Sequence, residues 1–184
     1  PLLKPSPPRS PDLIGPIGYL TPINLRRLRR IVSMAKMHEY PVSVQWQGGR
    51  TGNGSVSAQR SGVTAPLSVP DEFGGPGEGT NPEEMLAKAV TGCYSITFGI
   101  VAEARRLPFL GIETKAVGEV EENGPQFTYK KITLRPTIRL AADATDDQVA
   151  LADQMAHKAD SYCIITNALR GKVEIEIEPT IVRG

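Results

Sequence analysis

The chain has 184 residues, with 40% apolar and 22% charged side chains and a formal net charge of +1, which suits one globular domain with a proper core. No apolar run approaches the ~18–20 residues of a membrane span, and no charged-then-apolar leader ends in small residues, so a cytoplasmic location is the default expectation. Residues 1–37 carry seven basic side chains against Asp12 alone, a sum of +6 that leaves about −5 for the rest, the wrong sign for a nucleic-acid binder.

Residues 1–22 hold seven prolines and read as a flexible lead-in. Residues 23–37 can form a basic amphipathic helix with Leu25, Leu28, Ile31 and Val32 on one face. Such a segment is either a membrane-surface or acidic-partner arm, or a dispensable extension. Met34 and Met37 stand just before the globular pattern, which favours the extension and sets the domain at 38–184.

From Tyr40 the pattern changes. Val42, Val44 and Trp46 alternate with polar residues, as a strand does. Gly48-Gly49-Arg50-Thr51-Gly52-Asn53-Gly54 is a turn, and Ser55 to Gln59 and Ala65 to Val69 read as two more strands. After a glycine-rich loop, Gly74 to Gly79, Asn81 suits a helix N-cap, Pro82 the first helical position and Glu84 the capping-box acid. That helix is expected to run to about Arg106. It is apolar nearly all round, which predicts burial on every side. Ile112 to Glu121 and Phe127 to Leu140 read as a hairpin turning at Glu122-Asn123-Gly124-Pro125. A second helix is expected over 145–161, a short third from Cys163 to Leu169 ended by Gly171, and a last strand through Val173, Ile175 and Ile177. The fold class is α+β, with antiparallel sheet wrapped around two central helices.

Weak signals are set aside first. The loop 74–79 lacks the Lys-Ser/Thr pair of a phosphate-cradling loop, and a tight approach before a helix is its simpler role. His157 falls four residues after Asp153 on a helix, an ordinary solvent-facing pair. Two histidines give little material for a metal site or a Ser-His-Asp triad.

The two cysteines cannot staple so long a chain as a disulfide framework, and they are too far apart for a local zinc motif. A pair that bonds in a reducing compartment is more often catalytic or redox-sensing than structural. Cys93 lies about three turns into an apolar helix, where a cysteine is usually a small hydrophobe and burial raises its pKa. If it reacts, a cation must come to it from elsewhere in the chain. Cys163 falls near the start of a short helix, where a thiolate is favoured. These considerations leave the nucleophile undecided.

Gly48-Gly49-Arg50, the run Phe73 to Glu84 with its Gly79-Thr80-Asn81-Pro82-Glu83 core, Gly92-Cys93-Tyr94, and Cys163 with Thr166-Asn167-Ala168 together resemble the OsmC/Ohr family. The most specific element is the Gly-Thr-Asn-Pro-Glu stretch followed, ten residues after its Glu, by Cys. The likeness covers roughly 38–184. It implies an OsmC-like fold, an intertwined homodimer with sites at the subunit interface, and a thiol peroxidase acting on organic hydroperoxides. Cys93 matches the peroxidatic cysteine and Cys163 the resolving one. Glu83 matches the glutamate that holds the active-site arginine, although an acid there also suits a helix N-terminus. Arg50 matches the arginine as placed in the Ohr branch, and it can serve its own or a partner's Cys93. The OsmC branch places an arginine where this chain has Asp71-Glu72-Phe73.

The implied chemistry needs no metal, flavin or haem, and it ends with an external dithiol reductant, lipoyl-type rather than glutathione. The apolar residues Val90, Tyr94 and Phe98 suggest a greasy pocket that favours organic over hydrogen peroxide. The alternatives are a redox sensor or adaptor using the same pair, and a non-catalytic module that binds an apolar ligand.

Overall fold

Two long strands joined by Asn123-Gly124-Pro125-Gln126 organise the fold. They are β4 (Phe109–Asn123) and β5 (Gln126–Leu140), antiparallel along their whole length, with register shifts at Phe109/Gly111 and Glu119/Val120. The structure, a computed structural model, describes residues 35–184. Tyr40–Gly184 form one compact unit. Most of the N-terminal extension expected over 1–37 lies outside the described residues.

Before the hairpin come β1 (Val42–Gln47), β2 (Asn53–Ala58) and β3 (Thr64–Ser68), an antiparallel sheet in the order β1-β2-β3. A long helix, α1 (Pro82–Ala104), follows. After the hairpin come α2 (Asp146–Ala159), the short α3 (Ile164–Leu169), β6 (Glu174–Ile177) and β7 (Thr180–Arg183). The fold is α+β, as expected, with two corrections. The last strand is two, and both β6 and β7 pair with β5 in parallel. Pro136 explains the break between them. It has no N–H to offer a ladder, and it lies between Leu134, the last partner of β6, and Thr137, the first partner of β7.

The core lies between the hairpin sheet and the helices. Ile132, Leu134, Ile138 and Leu140 alternate inward along β5 and meet Val90, Tyr94, Phe98 and Ala102 of α1 and Ala152, Met155 and Ala156 of α2. The spacing 90, 94, 98, 102 is one face of a helix. Tyr94 buries its ring and donates its hydroxyl to the Ala156 carbonyl at 2.9 Å, tying α1 to α2. Burial, and then the charge of Asp160, hold its pKa far above the usual phenol range.

The opposite face of α1 departs from the expected all-round burial. Ala89, Gly92, Ile96 and Ile100 are exposed, the two isoleucines at 66% and 62%. An apolar helix needs cover on every side, and Tyr40–Gly184 supply it on one. β1 behaves alike. Its alternation is real, yet Val42, Val44 and Trp46 are exposed. By length and composition α1 is also apolar enough to cross a membrane, contrary to the reading of the sequence as free of such a run. Its inward face is nonetheless committed to the protein core.

Candidate active site

The strongest local signals surround the start of α1. Asn81 caps it, accepting the Glu84 N–H at 2.7 Å, and Pro82 opens it. The Glu84 side chain does not complete a capping box. It accepts from Thr80 Oγ1 and pairs with Lys88, both at 3.0 Å. The hydrogen bond from Lys88, then that from Thr80, hold the Glu84 carboxyl below its ordinary pKa. The preceding loop is tight because a side chain on Gly75 would collide with the Val69 carbonyl.

Cys93 follows about three turns along α1 and is partly exposed. Its sulfur is bonded to that of Cys163, with Cα atoms 5.8 Å apart, inside the range a disulfide requires. Cys163 itself is completely buried. It occupies the N-cap of α3 with extended backbone, and its Sγ accepts the Thr166 N–H at 3.4 Å. Thr166, 1% exposed, closes the same turn by donating Oγ1 to the carbonyls of Cys163 and Asp160. A surface clasp holds this strap. Arg170 reaches Asp160 at 3.1 Å and Asn167 Oδ1 at 3.1–3.2 Å, and Asn167 donates to the Ser161 carbonyl.

Arg50 and Glu83 lie elsewhere. Arg50 is exposed on the β1–β2 turn, where the Gly52 N–H donates to the Gly49 carbonyl at 2.9 Å and Trp46 Nε1 donates to the Gly48 carbonyl at 3.0 Å. Any side chain on Gly52 would strike the Gln47 carbonyl. Arg50 opens onto a cleft of about 870 Å³ that also takes in Trp46, Phe73, Glu83 and Phe127. Phe73 and Phe127 meet edge to face at 4.8 Å in its wall.

Glu83 has a buried Oε2 without a hydrogen-bond partner among the described residues. No Arg50–Glu83 ion pair forms, although both border one cleft. Tyr129 donates to the Glu83 backbone carbonyl at 3.3 Å, and burial, then the charge of Glu83, raise its pKa. Glu83 and Cys93 share one helix and are separated by about 15 Å of rise. Cys93 and Cys163 thus lie together, and Arg50 and Glu83 border a cleft that neither cysteine lines.

One expectation about the pocket needs correction. Val90, Tyr94 and Phe98 do not line it; all three are fully buried in the core, because they lie on the inward face of α1 next to the position of Cys93. A hollow of about 380 Å³ over the preceding turns of α1 is lined by Ala87, Thr91, Gly92 and Ala116 with Glu84 and Lys88. Among the described residues no group of three or more His, Cys, Asp or Glu is arranged to hold a metal ion.

The family profile described as OsmC-like protein matches residues 75–178. The chain belongs to the OsmC/Ohr family. The uncharacterised protein YmaD of Bacillus subtilis is 37% identical over 147 residues, covering 80% of this chain and 97% of YmaD. An organic hydroperoxide resistance protein of Xanthomonas axonopodis pv. citri is 28% identical over 135 residues, 71% of this chain and 87% of that protein. The crystal structure of an organic hydroperoxide resistance protein from Legionella pneumophila superposes with a TM-score of 0.63 at 22% identity, covering 78% of this chain and 99% of that one, a likeness of fold. Within this OsmC/Ohr chain, three features escaped sequence reasoning: the aromatic wall Trp46-Phe73-Phe127, Tyr129 beneath Glu83, and the Thr166 N–H on sulfur. Only the last left a usable signal, a polarisable acceptor three residues before a threonine at a helix start.

Proposed function

We propose that this OsmC/Ohr protein is a two-cysteine thiol peroxidase that reduces organic hydroperoxides to alcohols. The observation that carries the reading is the Cys93–Cys163 pair, one sulfur partly open to solvent and the other enclosed. The names of several relatives, among them a peroxiredoxin of Escherichia coli and the Xanthomonas protein, support it.

The Cys93 thiolate attacks the distal peroxide oxygen, breaking the O–O bond, and leaves as a sulfenic acid while the alkoxide takes a proton. Cys163 condenses with the sulfenic acid, releasing water and forming the disulfide. A dithiol outside the chain, lipoyl-type in our reading, then restores both thiols by exchange. Arg50 carries a charge that cannot be lost, and it lowers the Cys93 pKa and stabilises the alkoxide. Glu83, with its unpartnered oxygen beside the same cleft, orients the guanidinium.

Since Glu83 and Cys93 lie about 15 Å apart along α1, Arg50 and Glu83 of one chain complete the Cys93 site of a second in this reading. The exposed Ile96, Ile100, Val42 and Val44 are the surfaces such a homodimer covers.

The test is consumption of cumene hydroperoxide with dihydrolipoamide. Wild type turns over continuously, Cys93→Ser is dead, and Cys163→Ser stalls after one equivalent. Unfolding and refolding Arg50→Ala together with Cys93→Ser restores turnover if sites are shared between chains. No restoration from the mixture places Arg50 with its own Cys93. A disulfide that forms once without sustained consumption makes the pair a sensor.

A further inference from the structure

The buried half of the disulfide determines how the pair is reduced. Thiol–disulfide exchange requires the attacking sulfur to approach along the S–S axis, from beyond the sulfur it strikes. Cys163 is 0% exposed within a single chain. Association can only bury surface further, so no assembly of native chains opens it. Attack on Cys163 would carry the reductant through Thr166 and the α2–α3 strap. Cys93, by contrast, is partly exposed.

The leaving group has its own requirements. Burial disfavours a Cys163 thiolate. Against this, the Thr166 N–H already points at the sulfur at 3.4 Å, and hydrogen bonding to the charged form favours it. Access decides first, because a sulfur that cannot be reached is not attacked however good the departing group.

We infer that the reductant attacks Cys93 and expels Cys163, so that the mixed disulfide always forms on Cys93 and the Thr166 N–H receives the departing thiolate. This rests on the redox reading of the pair and adds the direction of reduction. The reductant thiolate bonds to Cys93 Sγ as the Cys93–Cys163 bond breaks, and Cys163 keeps the electron pair and takes up a proton. The second thiol of the dithiol then attacks its own sulfur in the mixed disulfide and releases Cys93 as thiolate. Two electrons pass to the protein and the reductant leaves as a cyclic disulfide. Both peroxide and reductant therefore use one opening, at Cys93.

The experiment makes the disulfide with diamide, without peroxide, so that it does not depend on peroxidase activity. The oxidised full chain meets limiting 2-mercaptoethanol for a short time, is quenched with acid, is alkylated with N-ethylmaleimide in denaturant, and is mapped by peptide mass spectrometry. The expected product carries mercaptoethanol on Cys93 and the alkyl group on Cys163, in excess of about tenfold over the reverse. Mercaptoethanol on Cys163, or an even split, overturns the inference and leaves the peroxidase reading intact. A protein that gives the Cys93 adduct but consumes no peroxide upholds the inference and removes the peroxidase.

Discussion

Glu83 and Cys93 lie on the same helix, the one with a buried carboxylate oxygen that has no hydrogen-bond partner among the described residues and the other joined to Cys163. A buried unpaired acceptor costs stability, and α1 retains this one in its first turn. Arg50 faces the same cleft, which is the arrangement the proposed role of the two residues needs.

Arg50→Ala is expected to slow oxidation of Cys93 by cumene hydroperoxide about 100-fold, the usual effect of removing one charged stabiliser of a developing oxyanion. The side chain is exposed and makes no ion pair among the described residues, so the melting temperature should not move. Stopped-flow oxidation and a thermal melt check both halves, and an unchanged oxidation rate would sink the role given to Arg50.

Glu83→Gln tests the positioning role. The amide keeps the size of the side chain and removes the charge that orients the guanidinium, so peroxide reduction should fall about tenfold. An undiminished rate would remove Glu83 from the positioning of Arg50.

Much of this was legible in the residues. The Asn81-Pro82 start, the hairpin and the helix 146–159 follow from local rules, and the structure confirms them to within a few residues. The site divides differently. The pairing of the cysteines came from family resemblance, not from spacing. Val90, Tyr94 and Phe98 cannot line an open pocket because the face of α1 next to Cys93 is spent on the core. An apolar pattern says that a face is to be covered, not by which molecule, and so the expected burial of α1 holds on one side only. The parallel pairing of β6 and β7 depends on contacts over some forty residues, which no local pattern encodes.

Tyr94→Phe tests how firmly the helix behind Cys93 is held. The lost hydroxyl leaves the Ala156 carbonyl without that donor in the core, a cost of about 1–2 kcal/mol. The folded tyrosine has a raised pKa, from burial first and then Asp160. Its contribution is therefore complete below the ordinary phenol range and fades as pH rises beyond it. Wild type should lose stability on the alkaline side and the phenylalanine variant less steeply; parallel curves from chemical denaturation would refute this.

The β5–β6 junction titrates at the other end. Lys131 pairs with Glu176 at 2.5 Å. Its hydrogen bond, then its charge, lower the pKa of the Glu176 carboxyl, and the same contact raises that of Lys131. A lowered carboxylate pKa adds stability above the ordinary carboxylate range, lost as pH falls through the folded value. Glu176→Gln should flatten the acid limb of the melting profile and leave peroxide turnover at neutral pH unchanged. An acid limb as steep as wild type would show that the pair contributes nothing there.

Arg170 tests whether the strap carrying Cys163 is held for chemistry or only for stability. The guanidinium binds Asp160 and Asn167 on the surface, and an exposed pair of this kind is worth about 1 kcal/mol or less. Arg170→Ala should therefore melt almost normally. The backbone it clasps, however, supplies the carbonyl and N–H groups through which Thr166 sets the N-cap sulfur. Released from the clasp, the strap opens more often, and opening exposes a thiol that the closed state hides. In the reduced variant Cys163 should react with iodoacetamide several-fold faster than in wild type. Peroxide should then leave more Cys93 as sulfinic acid, because a misplaced Cys163 captures the sulfenic acid late. Equal labelling rates together with undiminished disulfide yield would confine Arg170 to the surface and leave Thr166 alone to position the sulfur.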